Sequence, residues 1–566
     1  MGKIIRVDMN TKKIEFEDSS KYDLLGGRAL TSKMIFDEVD PTSDPLGRFN
    51  KLIVAPGLLG GTAVSSSSRL SVGCKSPLTN GIKEANCGGV SGWLLARGGI
   101  MAIVVEGLPN DQPCYVLEVG KDVKLHEMNM LKYMGCYDAV TKLYELFGKN
   151  IGILCIGPCG ERLMRGAAIA STDRIGELKF AARGGVGAVM GSKGIKAIVI
   201  HDNGKSIIKY NNKEQFMEVA TMINKLLLAD PKTGVAYKKY GTAQTTDPVN
   251  AIGALPTKNF RYGTFEYAER LNGEALYNTV IKRGGCGKTG MSCMPGCVIQ
   301  CSNIYPDEYG NKLVSTLQYE TIALLGSNCG FDNLDPVAKL NWQCNDLGLD
   351  TIEIGAALGV AIEAGLAQFG DEESCMALMN EIRKNTILGK VLANGVEITG
   401  KVLGITRIPA AKGQAFPGYD PRALKGNGVT YAMSPMGADH TAGNALGSRN
   451  EVNPLSNVNQ GDLSRKLQIP LATIDSLGIC MFARGVLLKD PSLLVRLVNS
   501  YLGLDLSVED IWDIGIRTLR LEREFNIKAG ISPAQDRLPE FCYIEPLPPT
   551  NAVFDLTTEE LSKAVV

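Results

Sequence analysis

Residues 194–228, GIKAIVIHDNGKSIIKYNNKEQFMEVATMINKLLL, decide the fold, because the hydrophobic period changes inside them. GIKAIVIHD is a short β-branched run bounded by Gly and Asp, which reads as a strand. Past Asn211, EQFMEVATMINKLLL sets apolar residues three and four apart, which reads as an amphipathic helix. Upstream the strand texture persists. KIIRVDM and KIEFED flank Asn10, Thr11 and Lys12 as a hairpin, and KLIVAPG, RLSVGCK, GIMAIVVEG, CYVLEVG and IGILCIG follow, with AVTKLYELF the clearest intervening helix. Downstream, LDPVAKLNWQCNDLG, IEIGAALGVAIEAGLA and CMALMNEIRKNTILGKVLA are helical in period. A Pro/Gly-rich stretch over 412–447 precedes the last helices, SLLVRLVNSYLG and VEDIWDIGIRTLRLEREF. The expected fold class is α+β: a β-rich domain over 1–208, then two mainly α-helical domains over 209–411 and 412–566. No internal repeat stands out, and the last ten residues are expected to dock loosely.

The chain has 566 residues, 45% of them hydrophobic, enough for several cores. Lys+Arg and Asp+Glu are 60 each, and this zero balance excludes a dedicated nucleic-acid binder, which needs a basic surface. With 3 histidines no His-rich zinc or di-iron site can be built. No apolar run is long enough to span a membrane, and MGKIIRVDMN lacks the apolar core of a secretory signal. An odd 15 cysteines do not suit a secreted disulfide framework, so a reducing cytoplasm is expected, with some cysteines serving a metal.

The densest chemical signal is MSCMPGCVIQCSN, where three residues separate Cys293 from Cys297 and three more precede Cys301. Thiolates so spaced on a loop can converge on an Fe–S cluster, which usually takes four, or on a four-cysteine zinc site. The fourth ligand has two candidates, Cys286 just upstream and Cys480, which closes the Asp-x-x-Gly-x-Cys loop of ATIDSLGICMFAR. A similar loop runs from Asn345 through Gly348 to Asp350, and two such loops suggest paired contacts to a polar, roughly two-fold ligand. Cys155 and Cys159 share the cysteine spacing but lie in an apolar run, where small core residues are the simpler reading.

Taken with LLGGRALTSKMIFDEV, SSRLSVGCKSPLTNGIKEANCGGVSG, AARGGVGAVMGSKGIKAIVI, YETIALLGSNCG, GYDPRALKGNG, MGADH and EREFNIKAG, the chain resembles the aldehyde:ferredoxin oxidoreductase family nearly end to end. These are tungsten or molybdenum enzymes with a bis-pyranopterin cofactor and one [4Fe–4S] cluster, and the resemblance implies a β-rich cofactor base beneath two helical domains. It places Arg69, Asn86, Gly88 and Gly89 against the pterins, with Arg183 near the cofactor phosphates. The carbonyls of Asn86 and Gly184 would hold a Mg2+ ion between those phosphates. The paired loops, Asn345 with Asp350 and Asp475 with Ile479, would grip the pterins; Asn345 stands where Asp is usual, exchanging a carboxylate contact for an amide one. Cys293, Cys297, Cys301 and Cys480 match the cluster ligands, although the family's spacing is one residue tighter between the first two. Glu320 and His440 match the acid–base pair. His126 and His201 carry no expectation of function.

The resemblance thus implies oxidation of an aldehyde to a carboxylic acid, with electrons passed to ferredoxin or a partner Fe–S protein. Rival readings are reduction of another substrate, such as an aromatic acyl thioester, and a non-catalytic Fe–S subunit. Intact Arg69, Asn86, Arg183, Glu320 and His440 argue against the last. Some members bind a lone iron between subunits through Glu and His. Here no histidine lies between Asp202 and Asp439, so no such iron is expected and a homo-oligomer is left open.

Overall fold

The structure is a computed structural model and describes residues 2–110, 114–204 and 206–566. Strands β1 (Lys3–Asp8), β2 (Lys13–Asp18), β3 (Leu52–Pro56), β4 (Leu70–Lys75), β5 (Ile82–Cys87) and β6 (Ile100–Glu106) form a sheet of order β2-β1-β6-β3-β4-β5. Strands β7 (Tyr115–Val119), β8 (Val123–Glu127), β9 (Ile151–Cys155), β10 (Ile169–Thr172), β11 (Leu178–Ala181) and β12 (Ile195–His201) form a second sheet, β8-β7-β12-β9-β10-β11. In each, the first and last strands pair in parallel and the other neighbours antiparallel.

The second sheet therefore repeats the first strand for strand, against the expectation of no repeat. Its sequence trace is GGVSGWLLARGGIMAIVV at 88–105 against GGVGAVMGSKGIKAIVI at 184–200, offset by one residue near the middle. The inner faces share a core that includes Val54, Val72, Ile103, Leu117, Leu154 and Ile198. Outside, helix Gly27–Glu38 covers the first sheet and helix Cys136–Phe147 the second, a layered order of helix, sheet, sheet, helix. The helix Gly27–Glu38 and the short strands β5, β8, β10 and β11 escaped the strand-and-helix reading, because their residues are polar, short in run or buried on every side.

From Lys213 the chain is mainly helical, as the change of period predicts. A small antiparallel sheet interrupts it: β13 (Lys288–Met291), β14 (Ser302–Pro306) and β15 (Lys312–Ser315). The cysteine run is the connection between β13 and β14. One large core runs through residues 243–564 and takes in Cys159, Met164, Ala167 and Ala188 of the β-rich region, so both helical portions share it. The chain end belongs to that core: Thr558–Ser562 is helical, and Leu561 and Ala564 are buried. This corrects the expected loose docking. Among the described residues, no helix is long and apolar enough to cross a membrane.

Candidate functional site

Two helices descend onto the two sheets at equivalent places. Helix Leu334–Leu347 ends at Gly348 (φ +70°) and helix Gln460–Leu477 at Gly478 (φ +79°), both left-handed caps that favour glycine. Asn345 and Asp475 thus sit in last helical turns, and what the sequence suggests as loops are helix C-termini. A Cβ at Gly348 would lie 2.5 Å from the Gly157 nitrogen, and one at Gly478 would lie 2.7 Å from the Gly57 Cα. Gly57 follows β3 and Gly157 follows the equivalent β9, so each sheet receives one helix end through a glycine–glycine contact.

Between floor and roof lies a cavity of about 270 Å³. Arg69, Asn86, Gly88, Arg183, Asn345, Asp350 and Asp475 line it, together with Glu320 and His440 and the cysteines Cys293, Cys301 and Cys480. Gly89, Gly184, Ile479 and Cys297 stand behind the wall. A Cβ at Gly89 would meet the Ser171 Oγ at 2.1 Å, so this close approach requires glycine. The Gly184 carbonyl accepts from Ser76 Oγ at 2.7 Å. Ile479 is in a hydrophobic core, and its N–H is bound to the Ile474 carbonyl.

Arg69 donates Nε to the Asn86 Oδ1 and Nη2 to the Asn86 carbonyl at 3.1 Å, which ties it to the floor strand β5, and it lines the cavity together with Cys293, Cys301 and Cys480. Arg183 is more committed to its own chain than a free phosphate ligand would be. Its Nη1 donates to the Ala438 carbonyl at 2.6 Å, its Nη2 to that of Ala415 at 2.7 Å, and its Nε to Asp350 at 3.3 Å. With three of five donors engaged, one N–H on each terminal nitrogen remains for a ligand. Asp350 also caps helix Thr351–Glu363 through Ile352 N–H. Asn345 Nδ2 donates to the Tyr137 hydroxyl at 3.3 Å.

Asp475 faces Arg28 at 3.6 Å, and Glu522 holds that arginine through bonds of 2.9 and 2.8 Å. Burial lifts the Asp475 carboxyl well above its usual range, with the neighbouring Glu84 adding to the rise. Glu84, also on the cavity wall, is raised by burial. Sequence reasoning missed Arg28, Lys83, Glu84, Lys179, Asp439 and Glu522. Arg28, Lys83, Glu84, Asp439 and Glu522 stand in the quoted motifs GGRAL, NGIKEANC, MGADH and EREF, while Lys179 lies outside them; all six are buried here.

Glu320 lies in the first turn of helix Tyr319–Leu325, and its Oε2 accepts Gly418 N–H at 2.6 Å. Its Oε1 is 3.4 Å from His440 Nε2. The four expected thiols share one region: Cys297, Cys301 and Cys480 lie in one core, with Cys293 packed against it. Burial pushes the Cys293 thiol up to about 12, with Cys297 nearby, and lifts Cys301 well above its ordinary value with Cys293, Cys480 and Cys297 adding to the effect. Ser66 Oγ donates to Cys297 Sγ at 3.3 Å, Cys480 N–H to the Ser66 carbonyl at 2.8 Å, and Gly89 N–H to the Cys293 carbonyl at 2.8 Å. Cys286 is exposed and apart from this group. Among the described residues, no three His, Cys, Asp or Glu side chains form a site for a single ion.

His126 and His201 meet on one carboxylate, Glu118, at 2.7 and 2.9 Å, and none of the three lines the cavity.

A cofactor with two polar heads and a metal–sulfur cluster would fit these walls on two observations: the roof offers equivalent helix ends, and four thiols stand at or just behind the cavity wall. Duplicated floor, paired roof and thiol-rich wall surround this one buried cavity.

Residues 4–202 match the family model described as aldehyde ferredoxin oxidoreductase, N-terminal domain, and residues 218–565 match that of its domains 2 and 3. The chain belongs to the aldehyde ferredoxin oxidoreductase family. It is 33% identical over 580 residues to the tungsten-containing aldehyde ferredoxin oxidoreductase of Pyrococcus furiosus, covering 97% of this chain and 92% of that one. To the protein of the same description in Thermococcus kodakarensis it is 34% identical over 584 residues, with the same coverage of 97% and 92%. It is also 25% identical over 605 residues to the aliphatic sulfonate oxidoreductase, WOR-like subunit, of P. furiosus, covering 97% and 90%. Its fold is shared with the active-site complex BamBC of benzoyl coenzyme A reductase, with a TM-score of 0.80 at 19% identity over 100% of this chain and 93% of that one.

Proposed function

We propose that the protein oxidises an aldehyde, with water, to a carboxylic acid at a tungsten (or molybdenum) bis-pyranopterin centre in the cytoplasm. Electrons then pass singly through a [4Fe–4S] cluster to ferredoxin or a partner Fe–S protein. The observation that carries this reading is the convergence on one cavity of the Glu320–His440 pair and three of the four candidate cluster thiols. When bound, the metal–pterin group supplies the two-electron acceptor and the cluster the one-electron exit.

The chain's own residues supply position and protons. Asp475 and Asn345 would offer a carboxyl and an amide to the two pterin heads, and Arg69 lines the same cavity near Asp475, Cys293 and Cys480. Arg183 has two N–H groups left for phosphate, and the Asn86 and Gly184 carbonyls are the candidates for Mg2+. Cys293, Cys297, Cys301 and Cys480, which share one region, would hold the cluster. Glu320 takes a proton from the attacking water, and His440 donates a hydrogen bond to the aldehyde oxygen, favouring addition at carbon. The working division of the chain is 1–208, 209–411 and 412–566.

Anaerobically purified protein supplied with aldehydes and oxidised ferredoxin should release the acid and reduce the carrier. His440→Ala should keep its metals and lose turnover by ~10²–10⁴-fold. No acid from any aldehyde in tungsten-loaded protein would overturn the reading.

A further inference from the structure

His440 has a second neighbour that the Glu320 pairing leaves unused. Lys83 projects from β5 in the floor, its side chain wholly buried, and donates from Nζ to Asp439 Oδ2 at 2.6 Å and to the Met436 carbonyl at 3.5 Å. Asp439 Oδ1 accepts from Thr441 N–H at 3.0 Å and Oγ1 at 2.8 Å, and lies 3.9 Å from His440 Nδ1. That distance is too long for a hydrogen bond but short for a charge in a buried site. Nδ1 is buried and has no other partner, while Nε2 on the opposite edge faces Glu320 at 3.4 Å.

The charged and titratable groups around the imidazole are few. Glu320 and Asp439 face it directly, and the Tyr419 ring lies 6.2 Å away. Behind Asp439 stand Lys83 and Arg183, the latter tying the preceding residue through the Ala438 carbonyl at 2.6 Å. Burial alone would raise the Asp439 carboxyl, but the Lys83 and Arg183 charges hold it well below the usual carboxylate range. The Lys83 ion pair and the two Thr441 donors thus favour its charged form.

We propose that Lys83 and Asp439 are positioning residues for His440: the floor lysine fixes an aspartate beside Nδ1, so Nδ1 keeps its proton and Nε2 alone exchanges one with Glu320. This rests on the acid–base reading of Glu320 and His440 given above. A fixed anion at one imidazole nitrogen sets the tautomer and stabilises the imidazolium, as in hydrolase triads. The step moves one proton between Glu320 Oε1 and His440 Nε2 and changes no other bond. The sequence motif then has a physical division of labour. In MGADH the histidine reacts, and the aspartate before it, held by a lysine of the first sheet, keeps the histidine in one protonation pattern.

The test reads His440 directly. Diethyl pyrocarbonate modifies neutral imidazole, and peptide-resolved labelling rates against pH give each histidine's apparent pKa in the intact holoenzyme, with His126 and His201 as internal references. In Asp439→Asn the His440 value should fall by about one unit, a tenfold change in its protonation equilibrium, while the references stay put. With tungsten and iron contents unchanged, kcat should drop ~10–100-fold and KM should stay within about twofold. Lys83→Met should shift His440 in the same direction, and Lys83→Arg should restore it. An unmoved His440 value in correctly loaded Asp439→Asn overturns the proposal, as does failure of Lys83→Arg to outperform Lys83→Met. If the shift appears in a protein that oxidises no aldehyde, the positioning stands and the proposed reaction falls.

Discussion

Asp475 and Asn345 hold equivalent places, each one turn before a left-handed glycine that rests on a glycine of its own sheet, yet their surroundings differ in kind. Asp475 faces Arg28, itself clamped by Glu522, and shares its region with Glu84 and Arg69. Asn345 meets a tyrosine hydroxyl. Beyond the glycine one chain continues to Cys480 in the thiol group, the other to Asp350 at a helix N-terminus. Duplication of the floor thus fixed where two halves of a ligand can be held. Electrostatics then made the halves unequal, and on the proposed reading electrons leave through the charged half.

The largest effect that could break this comparison concerns the cysteines. Cys480→Ala should lose the reduced four-iron EPR signal or convert it to a three-iron form, while Cys286→Ala should leave the spectrum unchanged. The reverse pattern would detach the cluster from the Asp475 half.

The two glycine contacts should break alike. Gly348→Ala and Gly478→Ala each force a side chain into left-handed backbone and within 2.7 Å of the opposing main chain. Each should cost roughly 2–4 kcal/mol by denaturant titration and lower tungsten content. If only one did so, the equivalence of the two helix ends would fail.

A smaller difference lies at the sheet margins. Burial opposes ionisation of Glu38 beside the first sheet, but bonds from Arg6 and Lys51 hold its carboxyl at about 2. A depressed carboxylate stabilises the fold above its unfolded value, about 4.3, and that contribution is lost as pH falls through the folded value. Glu38→Gln should therefore cost about 1–2 kcal/mol at pH 7 and progressively less toward pH 2. Glu118 in the second sheet is lowered in the same direction, by His126 and His201 against the effect of burial. Glu118→Gln should show the same sign with a smaller amplitude, and equal amplitudes would remove this distinction between the halves.

Much of this architecture was legible in the sequence because hydrophobic period and cysteine spacing are local signals. The strand runs up to His201 and the change of period after Asn211 read correctly, and the closely spaced Cys293, Cys297 and Cys301 do lie in one region. The duplication was not legible, since topology persists after side chains diverge and only the stretches 88–105 and 184–200 keep a visible match. The buried charges were missed for another reason. Arg28, Lys83, Asp439 and Glu522 look like surface residues in sequence, and only contacts across hundreds of residues give them partners. Arg183 shows the converse: its motif suggested a phosphate ligand, while the fold also makes it a tie between Asp350 and the His440 segment.

The central claim is that this duplicated enclosure and its thiol wall hold a metal–pterin centre beside an iron–sulfur cluster. Elemental analysis of anaerobically purified protein tests it most directly. The account predicts about one tungsten or molybdenum and about four irons per chain; zinc with no iron would contradict it.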